Sequence, residues 1–396
     1  MTKIYLKKGR EESLMRFHPW VFSGAVAQIN GSPAEGDIVD IYAADGRYLA
    51  SGHYQIGSIA VRVLSFLANP HAPSFWVDTL SAAVEVRRSL GLFRPDTTCF
   101  RLVHGEGDGL PGLIIDWYDG VCVMQAHSAG MFRAAKQISA ALQEIFGADL
   151  KAVYNKSAHT APFKANLELV DGYLYQAPGF DSPSLEVLEN EKRFLVNWEE
   201  GQKTGFFLDQ RENRARVGSL AAGRRVLNLF CYTGGFSVYA LAGGATHVTS
   251  VDSSARAMSL TAQNLLLNAA PEQAVRNVTD DALDFLSGVE EGAYDLMIVD
   301  PPAFAKHRGA LKNGLRAYQR LNAAAISKVA PGGLIFTFSC SQVVDKESFA
   351  LAVFSAAAQT GRRVRILDRL CQGADHPVNI YHPEGEYLKG LLLYVD

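Results

Sequence analysis

Arg225-Val226-Leu227-Asn228-Leu229-Phe230-Cys231-Tyr232-Thr233-Gly234-Gly235-Phe236-Ser237 decides the fold. Its first half is a short apolar run, and its second half is a turn closed by two glycines that opens into a helical pattern. The same alternation continues downstream. A second apolar run covers 247–251 and is followed by helical spacing through Asn268; further strands are expected over 294–299 and 334–338, separated by a helix around 314–329. Apolar strands alternating with helices predict the α/β class, with a Rossmann-like, doubly wound and mostly parallel sheet over residues 191–396. In that architecture ligands bind beyond the carboxyl ends of the strands, so the residues just after each strand are the candidates for chemistry.

Upstream, the pattern changes twice. Residues 1–70 read as short strands punctuated by turns: Gly36-Asp37 precedes one apolar run, Asp45-Gly46 precedes another, and a third covers 59–64. Asp-Gly between two apolar runs is a hairpin signal, and several short strands at this spacing predict a small β-barrel. Asn69-Pro70-His71-Ala72-Pro73-Ser74 reads as a linker. Residues 71–190 mix elements into a central α/β domain, with helices expected over 75–90 and 129–146 and strands near 112–116 and 121–125.

With 396 residues, 48% hydrophobic and 20% charged, the chain has an ordinary globular balance and length enough for two to three cores. No apolar run is long enough to cross a membrane, and no apolar stretch follows the basic residues of the first ten, so a cytoplasmic protein is expected. The five cysteines contain no C-x-x-C pair, which argues against a disulfide framework and a structural zinc site; no metal is expected. The net charge of −3 hides a local excess: Lys306, Arg308, Lys312, Arg316, Arg320 and Lys328 follow Pro301 without a single acid between them. A second basic stretch carries Lys203, Arg211, Arg214, Arg216, Arg224 and Arg225. Such patches suit a phosphate backbone, though each alone is equally a solvated helix face.

The carboxyl ends of the strands hold the informative residues. Gly234 and Gly235 let backbone approach a ligand and start a helix whose N-terminus favours negative charge. Asp252 ends the second strand, 18 positions after Gly234, where a carboxylate takes ribose hydroxyls. This spacing admits either NAD or S-adenosylmethionine, but the loop lacks the G-x-G-x-x-G that seats a pyrophosphate. Phe230, Tyr232, Thr233, Gly234, Gly235 and Asp252 are therefore cofactor-binding candidates, joined by Asp281 after the third strand for an adenine amino group. The fourth strand ends in Asp300-Pro301-Pro302-Ala303-Phe304, a stiff loop that presents the Asp300 carboxylate. The fifth ends in Ser339-Cys340-Ser341. Lone cysteines are usually inert packing, which suits Cys99, Cys122 and Cys371; Cys340 sits where a thiol reaches substrate, and nearby Lys or Arg would favour its thiolate.

Residues 228–235, 300–304 and 339–341 resemble motifs I, IV and VI of class I S-adenosylmethionine-dependent methyltransferases. More closely, the chain resembles the bacterial 23S ribosomal RNA large subunit methyltransferase I family, which makes 5-methylcytosine. His18-Pro19-Trp20-Val21-Phe22-Ser23-Gly24-Ala25 is similar to that family's N-terminal PUA domain, an RNA-binding barrel. Gly107-Asp108-Gly109-Leu110-Pro111-Gly112 resembles its central domain, the stretch 201–211 its lead into the catalytic domain, and 375–377 with 383–390 its C-terminal signature. Ala303 departs from the pattern of the family, some close members of which have lysine there.

The resemblance implies S-adenosylmethionine as cofactor, 23S ribosomal RNA as partner, no membrane, and homodimerisation left open. It also implies a covalent route in which Cys340 adds to C6 of a cytosine, Asp300 holds N3 and the exocyclic amine, and Glu384 removes the C5 proton, with His376 second for that role. Gln210 and Arg211 would line the base pocket or the methionine end of the cofactor and, with Lys306, Arg308, Lys312 and Arg316, contact RNA around a base drawn out of its stack. Three other readings stay open: methylation of a ring or exocyclic nitrogen, a non-catalytic RNA-binding assembly factor, and an NAD-dependent oxidoreductase, the last disfavoured by the glycine spacing.

Overall fold

The computed structural model describes residues 2–67, 69–160 and 167–396. The chain divides into two compact units. The first comprises Met1–Val187, Val196–Leu208 and Ala374–Gly385; the second comprises Leu188–Leu195, Asp209–Gly373 and Glu386–Asp396.

Among the described residues, two larger sheets lie in the first unit, and a two-stranded pair, Ser184–Glu189 with Lys192–Asn197, is divided between the units. In the N-terminal one, six strands lie in the order Trp20–Phe22, Ile59–Ser65, Tyr48–Tyr54, Ile38–Tyr42, Lys3–Leu6, Val26–Asn30. The hairpin expected at Asp45-Gly46 is present: Ile38–Tyr42 pairs antiparallel with Tyr48–Tyr54, and Gly46 takes a φ of 88°, which favours glycine. Alternation along these strands buries Ile4, Leu6, Val39, Ile41, Val61 and Val63 on one face. The second sheet has five strands in the order Gly172–Gln176, Ala152–Asn155, Val121–Ala126, Leu113–Tyr118, Cys99–His104. Its apolar face is covered by residues of the helices Phe75–Ser89 and Ala135–Phe146.

The expected continuous helix over 129–146 is two helices, Ala129–Arg133 and Ala135–Phe146. The first starts at Ser128, whose hydroxyl accepts from the Met131 N–H; periodicity alone does not show the break at Ala134. The sequence divided residues 1–190 into two domains; each forms its own sheet, yet both belong to one compact unit. The return of Ala374–Gly385 to that unit was not legible in the sequence.

In the second unit seven strands lie in the order Val275–Thr279, His247–Asp252, Arg225–Leu229, Tyr294–Val299, Val329–Ser339, Lys389–Val395, Val364–Leu370. The first five are mutually parallel, and the last two add as an antiparallel pair. The order reverses at Arg225–Leu229, flanked by the second and fourth strands, so its carboxyl end opens at the switch point where such sheets bind ligands. Both faces are covered by apolar side chains, which explains why these strands read as runs rather than alternations. Among the described residues no helix is long and apolar enough to cross a membrane.

Candidate active site

The turn after Arg225–Leu229 is held by its neighbours rather than by its own propensity. Phe230 and Tyr232 adopt φ of 57° and 48°, a left-handed conformation unfavourable for aromatic residues. The strain is balanced by a set of fixed contacts. The Tyr232 N–H donates to Asp252 Oδ2 at 2.9 Å, the Cys231 N–H to the Val251 carbonyl, Thr261 Oγ1 to the Tyr232 carbonyl, and Asn264 Nδ2 to the Thr233 carbonyl. Asp252 Oδ1 also accepts from the Ser254 N–H, so the acid expected to face a ribose shapes the turn as well. Gly234 has a φ of 78°, and a Cβ there would lie 2.8 Å from Thr261 Cγ2. Beneath Gly235 lies Arg214, 2% exposed and paired in two hydrogen bonds with buried Glu189.

This turn fits S-adenosylmethionine. The strained, closely packed backbone opens on the helix Gly235–Ala242, and Asp252 stands at the end of the adjoining strand. Phe230, Tyr232, Thr233, Gly234, Gly235 and Asp252 form one loop system. Asp281 instead caps the helix Ala282–Ser287, one oxygen accepting from the N–H groups of Leu283 and Asp284. Cys231 packs against Met258 Sδ at 3.5 Å, and burial pushes its thiol up to about 12, as suits a packing residue.

Across the sheet, Asp300 and Cys340 follow two adjacent parallel strands, Tyr294–Val299 and Val329–Ser339. Their loops are tied together: the Ala305 N–H donates to Ser341 Oγ at 3.3 Å, and the Tyr318 hydroxyl lies 3.2 Å from the same oxygen. Gly314, in the first turn of the helix Leu311–Lys328, is required by this approach, since a Cβ there would meet Ala305 Cβ at 2.8 Å.

Asp300 Oδ2 accepts from Gln210 Nε2 at 2.9 Å, and the Gln210 carbonyl oxygen accepts from Asn213, which also donates to the Cys371 carbonyl. Burial, reinforced by the charge of Asp209, pushes the Asp300 carboxyl up to about 7. Asp209 accepts from the Tyr387 hydroxyl through Oδ2 at 2.6 Å, while its buried Oδ1 has no hydrogen-bond partner among the described residues.

The Cys340 thiol is half-buried, and its surroundings correct the expectation of a cation-favoured thiolate. Burial raises it most, Asp300 and Asp209 raise it further, and a backbone hydrogen bond and Lys389 oppose them, leaving the thiol at about 11. Lys389, 5% exposed, donates from Nζ to the Ser341 and Tyr387 carbonyls; burial brings its ammonium down to about 8. Asp209, Tyr387 and Lys389 are the site residues that sequence reasoning missed. All three lie inside stretches that carried the family resemblance, but nothing in their local pattern assigned them a role.

Other expected site residues lie elsewhere. Gln210 and Arg211 are each 3% exposed, so the structure gives Gln210 to Asp300 rather than to a phosphate-facing surface. Lys306, Arg308, Lys312 and Arg316 are exposed around the start of the helix Leu311–Lys328. Glu384 and His376 belong to the first unit. There Glu384 sits in the turn Pro383–Gly385, and His376 is 2% exposed with Nδ1 2.9 Å from Asp375.

Fold and site together define a class I methyltransferase domain that uses S-adenosylmethionine, carried on a chain with a PUA-like N-terminal domain. The family model of S-adenosylmethionine-dependent methyltransferases matches residues 100–378, and that of PUA-like domains matches residues 4–66. A protein of Aeromonas hydrophila named Ribosomal RNA large subunit methyltransferase I is 39% identical, with 99% of each chain covered. Its namesake in Serratia proteamaculans is 38% identical over 98% of each. A solved S-adenosylmethionine-dependent methyltransferase of Streptococcus mutans shares the fold over 100% of both chains, with a TM-score of 0.84 at 23% identity. The chain belongs to the ribosomal RNA large subunit methyltransferase I family.

Proposed function

We propose that this protein transfers a methyl group from S-adenosylmethionine to C5 of a cytosine in 23S ribosomal RNA in the cytoplasm, through a transient Cys340 adduct. The observation that carries the reading is the grouping of the Cys340 thiol and the Asp300 carboxylate at the ends of adjacent strands with a second carboxylate, Asp209, from the turn Leu208–Gln210, close enough for both acids to raise the thiol. Transfer to a nitrogen needs no thiol in that position. The names of the full-length relatives support the RNA class.

C5 of cytosine is a weak nucleophile and must be activated. Bound S-adenosylmethionine supplies an electrophilic methyl group. Asp300 takes the Cys340 proton and passes it to N3, which a carboxyl near 7 does in both directions at neutral pH. The thiolate adds to C6, and C5 becomes enamine-like and attacks the methyl carbon. Asp209 Oδ1, buried and unpaired, is our choice for the acceptor of the C5 proton. N3 then gives its proton back through Asp300, the thiolate leaves, and the aromatic ring is restored. Gln210 positions Asp300, Tyr387 positions Asp209, and Lys389 offsets the local negative charge. Glu384, which the resemblance placed in the proton-accepting role, lies in the first unit beside His382. Lys306, Arg308, Lys312 and Arg316 grip flanking phosphates.

Transfer of tritiated methyl to naked 23S RNA, followed by nucleoside mass spectrometry, tests the reading. Label in 5-methylcytidine, lost in Cys340→Ala, supports it; label in an N-methylated nucleoside, or a Cys340→Ala enzyme of normal turnover, removes it.

A further inference from the structure

We propose that His18, His382 and Glu384 form a binding site for a divalent transition-metal ion of the zinc and cobalt class. All three lie in the first unit, and one ligand atom from each falls within 4.8 Å of the others. His382 carries the argument. It is 3% exposed, and neither ring nitrogen has a hydrogen-bond partner among the described residues. A buried imidazole forgoes both hydrogen bonds at a cost of about 1–3 kcal/mol for each polar atom left without one, so such a group calls for a missing partner. Glu384 Oε2 lies 3.9 Å from His382 Nδ1.

Surrounding groups fit a cation. His18 Nδ1 stands between two groups of Trp20, the N–H 3.2 Å away, which it can accept from, and the carbonyl oxygen 3.3 Å away, which it can donate to; a bound ion would select the tautomer with the proton on Nδ1 and donating to the carbonyl, which leaves Nε2 as the ligand, the arrangement in which metal-bound histidines are held. Trp20 packs edge-on against His382, with ring centroids 4.2 Å apart, and walls off that side. The cation nearest this wall, Arg62, stacks on Trp20 and is neutralised by Glu106 at 2.9 Å. Two imidazoles and one carboxylate make a borderline donor set that favours zinc, cobalt or nickel over calcium or magnesium. Ligand atoms around a tetrahedral ion stand about 3.4 Å apart; the exposed Glu384 side chain, on its short turn, closes the difference by rotation. Three protein ligands would leave a fourth position to water. The ion would fasten the turn Pro383–Gly385 to the segment preceding the strand Trp20–Phe22.

This inference is independent of the methyl-transfer reading. The full-length chain, stripped with chelator, is titrated with Co2+ by absorption and with Zn2+ by calorimetry. The expected result is one ion per chain, d–d bands without a thiolate-to-cobalt charge-transfer band, and binding weakened about tenfold or more in His382→Ala and Glu384→Gln. Should His382→Ala fail to fold, Glu384→Gln and the half-buried His18→Asn carry the same comparison. Zn2+ should also raise the melting temperature of the wild type more than that of Glu384→Gln. A charge-transfer band, affinity unchanged in the variants, or no binding tighter than millimolar overturns the site.

Discussion

Replacing Asp300 by Asn should make Cys340 more acidic while abolishing methyl transfer. The thiol stands at about 11 against an ordinary 9.0, with burial the largest cause and the carboxylates of Asp300 and Asp209 next. Removing one carboxylate leaves burial, the largest cause, and Asp209 in place, so the thiol should fall by about one pH unit and stay above its ordinary value. The thiolate fraction at pH 8.5 should therefore rise severalfold, up to about tenfold. The effect has a window. Asp300 titrates near 7, so it is charged and opposes the thiolate only above that pH; below about pH 6 the wild type already carries a neutral group there, and the two proteins should converge. The assay is the pH dependence of iodoacetamide alkylation at Cys340, read by peptide mass spectrometry in a Cys371→Ser background, because Cys371 is the exposed cysteine. A thiol of unchanged or higher pKa in Asp300→Asn would refute the claim that these carboxylates restrain it.

The same shift has a consequence for stability. A carboxyl raised from 3.8 to about 7 favours the folded state when protonated; that contribution is fully present below about pH 4 and is lost progressively as pH rises to about 7, so Asp300→Asn should gain on wild type between pH 4 and pH 8 by on the order of a few kcal/mol, already part of the way at pH 5; chemical denaturation at the three pH values checks it. Asp209→Asn should retain adduct formation but release product slowly, so that a covalent enzyme–RNA complex accumulates on denaturing gels, which Cys340→Ala should never form. Gly314→Val should push the Ala305 loop away from the helix and cost activity together with about 1–3 kcal/mol of stability, measured by denaturant titration. Lys312→Ala with Arg316→Ala should raise KM for RNA with little change in kcat, and should flatten the salt dependence of binding by roughly 0.7–0.9 per lost contact.

Most of the second unit was legible because a parallel sheet covered on both faces writes itself as apolar runs, and each run ends where a loop must hold chemistry. Asp252, Asp300 and Cys340 followed from that rule. Residues whose meaning depends on a distant partner were not legible. Arg211 and Arg214 read as part of a basic surface, yet both are buried, and Arg214 pairs with Glu189. By contrast Lys306, Arg308, Lys312 and Arg316 are exposed as read, because a run without acids has no local partner to draw it inward. Asp281 looked like a ligand for adenine, but an acid two residues past a strand and one before a helix is also an N-cap, and that local demand is met in the structure.

The C-terminal signature shows why one motif need not serve one site. Residues 375–377 and 383–390 together resemble one C-terminal signature, but Ala374–Gly385 folds with the first unit and Glu386–Asp396 with the second. Tyr387 and Lys389 therefore act beside Asp209 and Ser341, whereas Glu384, only five residues before Lys389, stands with His18 and His382. His18 and His382 lie at opposite ends of the sequence, beyond the reach of any spacing rule for metal ligands, and the cysteines, where such rules look first, are scattered singly. An acid between a buried histidine and the strand that carries Lys389 has two assignments, base or ligand. They separate cleanly: as a base, Glu384→Gln would halt release of the methylated RNA from Cys340, and as a ligand it would weaken metal binding while leaving that release to Asp209.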